Sequence, residues 1–286
     1  MIRLPFVCLA TLALALPAQA QEVDSIIKKI QQTKTVTIGH REASVPHSYL
    51  DNNQKPVGYS IDLCLKVVDA VKEELKIPDI TVKWVPVNIQ NRMALVSNGT
   101  VDIECGSTVN TLARQKQVDF TYITFIAADQ MMVRKNSGIK EVEDLNGKIV
   151  AVPQASTSEK VVNDLIAAKK FDARVVQIRD HADALLSLES NRIDAYLTDN
   201  IILYGLVSKA RNPADFMVTG RMLSYAPYGM MVPKNNPTFL TIANRTFARM
   251  FRSGEIEPLY TKWFNQVGFP LIDEMKAAFK IQAIPE

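Results

Sequence analysis

The sequence predicts an α/β protein of two lobes, each a mostly parallel sheet flanked by helices, with the lobes joined by two hinge strands. Three observations lead there. A strand–helix–strand–helix–strand order occurs near the start of the chain and then again downstream, which is the pattern of a parallel sheet covered by helices. An internal echo links the two halves. Leu95-Val96-Ser97-Asn98-Gly99-Thr100-Val101-Asp102 resembles Leu188-Glu189-Ser190-Asn191-Arg192-Ile193-Asp194, in each of which a helix ends at Ser-Asn and a strand begins around an Asp. Finally, the stretches Thr124 to Met131 and Ser224 to Met230 read as crossings between the lobes.

Taken in order, Ser25 to Gln32 reads as a short helix and Thr35 to Gly39 as the first strand. Ile61, Leu65, Val68, Val71 and Leu75 recur at helical spacing, which predicts an amphipathic helix from Ser60 to Leu75. The β-branched run Ile80 to Val87 is a strand, Gln90 to Ser97 a helix, and Val101 to Cys105 a strand. The second series has strands at Lys148 to Val152, Arg174 to Ile178 and Ile193 to Leu197. Its helices are Ser156 to Lys170 and Ala182 to Ser190, with Asn200 to Lys209 following. Helices Pro237 to Arg252 and Glu255 to Gln266 then return the chain to the first lobe. The expected organisation is a signal segment over 1–20, a discontinuous first lobe over 21–126 and 227–286, and a second lobe over 127–226.

Arg3, the apolar run Phe6 to Leu16 and the small residues of Ala18-Gln19-Ala20 form the pattern of a cleaved secretory signal. The run is shorter than the roughly 20 apolar residues a membrane span needs. Cys8 lies inside it rather than at its end, which argues against a lipid anchor. Cleavage of 20 residues leaves 266 of the 286, enough for two lobes of ordinary size. The formal charge of +3 falls to +2 once Arg3 is removed. So weak a balance gives no reason to expect nucleic acid or an anionic membrane as a partner. Cys64 and Cys105 would then lie in an oxidising compartment, where they either form a disulfide or pack as two buried thiols. The histidines His40, His47 and His181 are scattered, no Cys/His cluster has metal-ligand spacing, and no cofactor is expected.

Ligands of open α/β sheets bind beyond the carboxyl ends of the strands. In the first lobe those ends are followed by His40-Arg41, by Gln90-Asn91-Arg92, and by Gly106-Ser107-Thr108 with Arg114 beyond. In the second they are followed by Ser156-Thr157-Ser158-Glu159 at a helix start, by His181, and by Thr198-Asp199. Arginine meets a carboxylate with two parallel charge-assisted hydrogen bonds, and a helix start adds unpaired N–H groups. Asp199 suits an ammonium group. Two carboxylates and one ammonium describe an acidic α-amino acid. Each residue also has an ordinary structural use: Ser156 with Glu159 is a capping box, and Asp199 can be a plain helix cap.

The segments Gly39-His40-Arg41-Glu42, Gly58-Tyr59-Ser60-Ile61-Asp62, Gln90-Asn91-Arg92, Glu104-Cys105-Gly106-Ser107-Thr108, Arg114-Gln115-Lys116 and Asp180-His181-Ala182-Asp183 carry a resemblance. In order and over the whole mature chain, the sequence resembles the periplasmic solute-binding proteins of polar amino-acid ABC importers, in particular their glutamate/aspartate-binding branch. That resemblance implies a type 2 periplasmic binding protein fold and a monomer in the periplasm. It implies capture of L-glutamate or L-aspartate by cleft closure, and a membrane permease as partner. Arg114 and the Ser107 region would hold the α-carboxylate and Asp199 the ammonium. Arg41, Arg92 and His181 would hold the side-chain carboxylate, with Ser156 and Thr157 closing from the second lobe. Ile89 and Val109 depart from the family, which often has hydroxyl residues there. The rival expectations on the same fold are a periplasmic dehydratase similar to cyclohexadienyl dehydratase, and an amino-acid sensor module. No nucleophile paired with a base and no pair of carboxylates marks this sequence as an enzyme.

Overall fold

The computed structural model describes residues 25–169 and 172–285. The expected signal segment over 1–20, with Cys8, lies outside the described residues. In chain order the elements begin with α1 (Ser25–Thr33), β1 (Thr35–His40), β2 (Ala43–Ser44), β3 (Ser48–Leu50), β4 (Pro56–Val57) and α2 (Tyr59–Leu75). They continue with β5 (Thr81–Pro86), α3 (Arg92–Ser97), β6 (Ile103–Cys105), β7 (Val118–Phe120), β8 (Phe125–Ala127) and β9 (Asp129–Arg134). Next come β10 (Ile149–Pro153), α4 (Thr157–Lys169), β11 (Arg174–Ile178), α5 (His181–Glu189), β12 (Ala195–Asp199) and α6 (Asn200–Lys209). The chain finishes with β13 (Phe216–Thr219), β14 (Ala226–Tyr228), β15 (Met231–Pro233), α7 (Pro237–Ser253), α8 (Ile256–Phe264) and α9 (Asp273–Ile281).

Two five-stranded sheets organise the lobes, in the orders β5-β1-β6-β15-β7 and β11-β10-β12-β9-β13. In each, three neighbouring strands run parallel, and the remaining pairings are antiparallel. The sheets are therefore mixed, because the strand that enters from a crossing runs against its neighbours. β15 comes late in the chain yet lies between β6 and β7, so the first lobe is assembled from two separate stretches. β8 and β14 pair with each other antiparallel, Phe125 opposite Tyr228, and form the ribbon through which the chain passes between sheets.

The two aspartates of the sequence echo perform the same task in both lobes. Asp102 accepts from the Thr37 amide at 2.7 Å, and the Asp102 amide donates to the Thr37 carbonyl at 2.9 Å. Asp194 repeats this with Ile149, at 2.8 Å in each direction. Each carboxylate thus satisfies a backbone N–H of the central parallel strand of its sheet, where an unpaired donor would be costly.

Local chemistry explains the main helices. α2 begins after Gly58, whose φ of +134° is open to glycine; a Cβ there would meet the His47 carbonyl oxygen at 2.3 Å. α2 buries Ile61, Leu63, Cys64, Val67, Val68 and Val71, whereas Leu65, expected in the core stripe, is turned outward. α7 starts at Pro237, whose missing N–H costs nothing in a first turn, and ends at Gly254 in the left-handed region. Among the described residues no helix is long and apolar enough to cross a membrane.

Cys64 in α2 and Cys105 at the end of β6 are joined by a disulfide across 41 residues of sequence. Closing a loop of that length removes entropy from the unfolded chain worth roughly 4 kcal/mol. The bond also ties α2 to the strand end that leads directly into Gly106-Ser107. Both sulfurs are buried, so of the two arrangements open from sequence, the structure has the bonded one.

Candidate functional site

A narrow cleft lies between the carboxyl ends of the two sheets, lined from the first lobe by Arg41, Ile89, Arg92, Ser107, Val109 and Arg114. From the second lobe Pro153, Ser156, Thr157, Ser158, His181, Thr198 and Asp199 complete it.

The three arginines arrive from three different strand ends. Arg41 follows β1 and is fully buried; its Nη2 donates to Asp180 Oδ2 of the opposite lobe at 3.2 Å. Its Nε and Nη1 have no hydrogen-bond partner in the protein. Arg92 opens α3 after β5, and its Nη1 donates to Thr108 Oγ1 at 2.7 Å while its Nε is unpartnered. Burial, Arg114 and Arg41 pull the Arg92 guanidinium down to about 9, with Glu104 and Asp199 opposing, so it remains cationic at neutral pH. Arg114 sits on a short 3₁₀ turn and is anchored through Nη1 to the Val109 carbonyl at 2.8 Å. Burial lowers its pKa, and Asp199 and Glu104 work against that. Buried guanidinium N–H groups without acceptors are expensive unless a ligand supplies the oxygens.

Across the cleft, Asp199 ends β12 and precedes α6, but its side chain makes no capping hydrogen bond and Oδ1 has no partner. Of its two sequence readings, the plain cap is therefore not what the structure shows. Asp129 of β9 stands directly opposite it in the antiparallel register. Burial and Asp129 push the Asp199 carboxyl up to about 7, against the lowering influence of the Tyr228 hydroxyl, Arg114 and Arg92. His181 is buried at the start of α5, with Nδ1 2.7 Å from the Tyr196 hydroxyl. Burial and Arg41 lower its pKa to about 3, so the ring is neutral. A neutral ring whose Nδ1 accepts from Tyr196 would carry its hydrogen on Nε2, the tautomer suited to an anionic ligand.

α4 points its start at the same space. Ser156 lines the cleft, but its hydroxyl is committed to the helix cap, donating to the Pro153 carbonyl at 2.6 Å and accepting from the Glu159 amide at 3.1 Å. Thr157 and the buried Ser158 follow it in the first turn, where N–H groups have no intrahelical acceptor.

Of the nine candidate residues, Arg41, Arg92, Ser107, Arg114, Ser156, Thr157, His181 and Asp199 come together. Thr108 does not line the cleft. It is fully buried, and its hydroxyl relays Arg92 to Glu104, accepting from the first and donating to Glu104 Oε2 at 2.8 Å. Gly106 makes that relay possible, since a Cβ there would fall 2.1 Å from Glu104 Oε1. His40, also at a strand end, packs edge-on against Trp84 instead. Ile89 and Val109 are apolar walls of the cleft. The sequence placed Ser158 and Thr198 after strand ends and Asp180 beside His181 without giving them a role, and it gave none to Pro153. Asp180 had a usable signal, as a capping residue type two positions before the expected helix, which in the structure starts one residue earlier, at His181. Among the described residues no group of three or more His, Cys, Asp or Glu is placed to hold a metal ion.

Comparison with known proteins agrees with this architecture. The model of the bacterial extracellular solute-binding proteins, family 3, matches residues 36–266. The chain is 41% identical over 272 residues to an L-glutamate/L-aspartate-binding protein of Pseudomonas aeruginosa, covering 92% of this chain and 90% of that one. It is 40% identical over 286 residues to a glutamate/aspartate import solute-binding protein of Escherichia coli, covering 95% of each. Among solved structures, an ancestral arginine-binding protein bound to glutamine superimposes with a TM-score of 0.72 at 30% identity, over 81% of this chain and 98% of that one. A two-lobed α/β fold with a charged cleft at its strand ends is the architecture of a solute-binding protein. This chain belongs to the bacterial extracellular solute-binding proteins, family 3.

Proposed function

We propose that this protein captures L-glutamate or L-aspartate in the periplasm and delivers it to the membrane permease of an ABC importer. The observation that carries the reading is the convergence of Arg41, Arg92 and Arg114, from three strand ends of one sheet, on a cleft faced by Asp199. Arg114 with the Ser107 region takes the α-carboxylate, and Asp199 takes the ammonium. Arg41, Arg92 and neutral His181 take the side-chain carboxylate, while the Thr157 and Ser158 amides close over the ligand from the second lobe. The moving bodies are 21–126 with 227–286, and 127–226, turning about the β8–β14 ribbon as a monomer freed of residues 1–20. Closure expels water and strengthens each charged hydrogen bond. The relatives named above are binding proteins, and capture without chemical change is the reading they support.

Calorimetry with glutamate, aspartate, glutamine and asparagine tests this. The two acids are expected to bind about 10- to 100-fold more tightly than their amides, because an amide leaves buried guanidinium groups poorly paired. Equal affinity for acids and amides would overturn the proposal.

The raised carboxyl of Asp199 adds a pH signature. Its folded value of about 7 lies above the ordinary 3.8, so the folded, ligand-free protein holds this proton more strongly than the unfolded chain does. Through Asp199 the free protein therefore loses stability as the pH rises from about 4 to about 7. A bound ammonium needs Asp199 charged, so below pH 7 binding expels a proton and affinity falls by up to about tenfold per pH unit. Titrations at pH 6 in two buffers of different ionisation heat read that proton directly. Identical heats in both buffers would exclude Asp199 as the ammonium partner.

A further inference from the structure

Arg41 is held from both sides of the cleft. Its amide donates to Ser48 Oγ at 2.9 Å within its own lobe. Its Nη2 donates to Asp180 Oδ2, 139 residues away on the other lobe, at 3.2 Å. Arg41 is fully buried, whereas the Asp180 side chain keeps 26% of its exposure and sits at the rim. The two carboxylate oxygens of Asp180 have different tasks: Oδ1 accepts from the Ala182 amide at 3.4 Å as the cap of α5, and Oδ2 takes Arg41. With Nη2 tied to the rim, the guanidinium plane is fixed, and the unpartnered Nε and Nη1 are the donors left for a ligand. His181, the next residue along, lines the same wall. Although burial alone would raise it, the Arg41 guanidinium holds the Asp180 carboxyl below its ordinary value, so it is charged at neutral pH.

We propose that Asp180 is a positioning residue and a cross-lobe latch: by pairing with Arg41 when the lobes meet, it sets the angle of that guanidinium and slows ligand release. The pair spans the two lobes, so it is intact only in the closed protein. Losing it leaves a buried arginine without its counter-charge on the closed side of the equilibrium alone. Interactions of that kind act on dissociation far more than on association. This inference rests on the acidic amino-acid reading for its ligand but not for its geometry.

Asp180→Asn is the variant of choice, since asparagine is an equally good helix cap and keeps the size while removing the charge. In stopped-flow titrations with L-glutamate, dissociation is expected to speed up about tenfold, with association within about twofold of the parent and an unaltered melting temperature. An unchanged dissociation rate overturns the latch. So does a variant in which association, dissociation and melting temperature all shift together, which marks a merely structural residue. If the parent protein binds no acidic amino acid, the functional reading fails by itself. The latch is then decided with whichever amino acid raises the melting temperature of the parent in a thermal-shift screen: faster dissociation of that ligand from Asp180→Asn supports it, and an unchanged rate overturns it.

Discussion

Arg114→Met is expected to abolish binding of both glutamate and aspartate, with an affinity loss of about a thousandfold or more. Removing one partner of a desolvated charge pair costs roughly 3–5 kcal/mol, because the other charge stays in the cleft unpaired. Arg114 suits that part. Its Nη1 is fixed on the Val109 carbonyl, so the remaining donors are aimed rather than free to wander. Asp199 and Glu104 sit close enough to favour its charged form against burial. Methionine fills a similar length without charge, and a melting temperature close to the parent would show that the fold survives. Titration calorimetry decides the matter: an affinity within tenfold of the parent would remove Arg114 from the α-carboxylate role.

Arg41→Met is expected to act differently, erasing the preference for acidic side chains while leaving amino-acid binding in place. Glutamate should lose about 100-fold and glutamine little, so that their ratio approaches one. The distinction follows from geometry. Arg41 lines the cleft together with His181 and is paired with Asp180, and Arg114 is on a separate turn beyond β6. Asp180 is partly exposed, so water can take over from the missing guanidinium on that side. Unchanged glutamate affinity in calorimetry would show that the side-chain carboxylate is held elsewhere.

Long, periodic elements were legible in the chain, and short ones were not. β11 and α6 have the boundaries their residues predict, and α2, α4, α5, α7 and α8 fall within about two residues of expectation. The repeated Asp102 and Asp194 mark equivalent strands, and both carboxylates tie into the neighbouring strand in the same way. The β2-β3-β4 meander has strands of two or three residues, too short to show a period of two, and it escaped notice. α9 escaped as well, although Met275 and Phe279 lie four residues apart on its buried face. The antiparallel entry of β9, β13 and β15 depends on where each crossing delivers the chain, and no local residue encodes that.

The candidate site divides along the same line. Taken alone, the amino-acid order determined which residues follow strand ends, and so which side chains a parallel sheet would present together: Arg41, Arg92, Ser107 and Arg114 on one side, Thr157, His181 and Asp199 on the other. That follows because strand direction and the side on which loops emerge are local consequences of the strand–helix alternation. Only the tertiary structure decided which of them face the cleft and what stands behind them. It turned Thr108 away to connect Arg92 with Glu104, set Asp129 opposite Asp199, and brought Asp180 to Arg41 across 139 residues. Those are long-range pairings, whose partners are chosen by how two separately folded sheets meet, and buried charge admits few arrangements once they do.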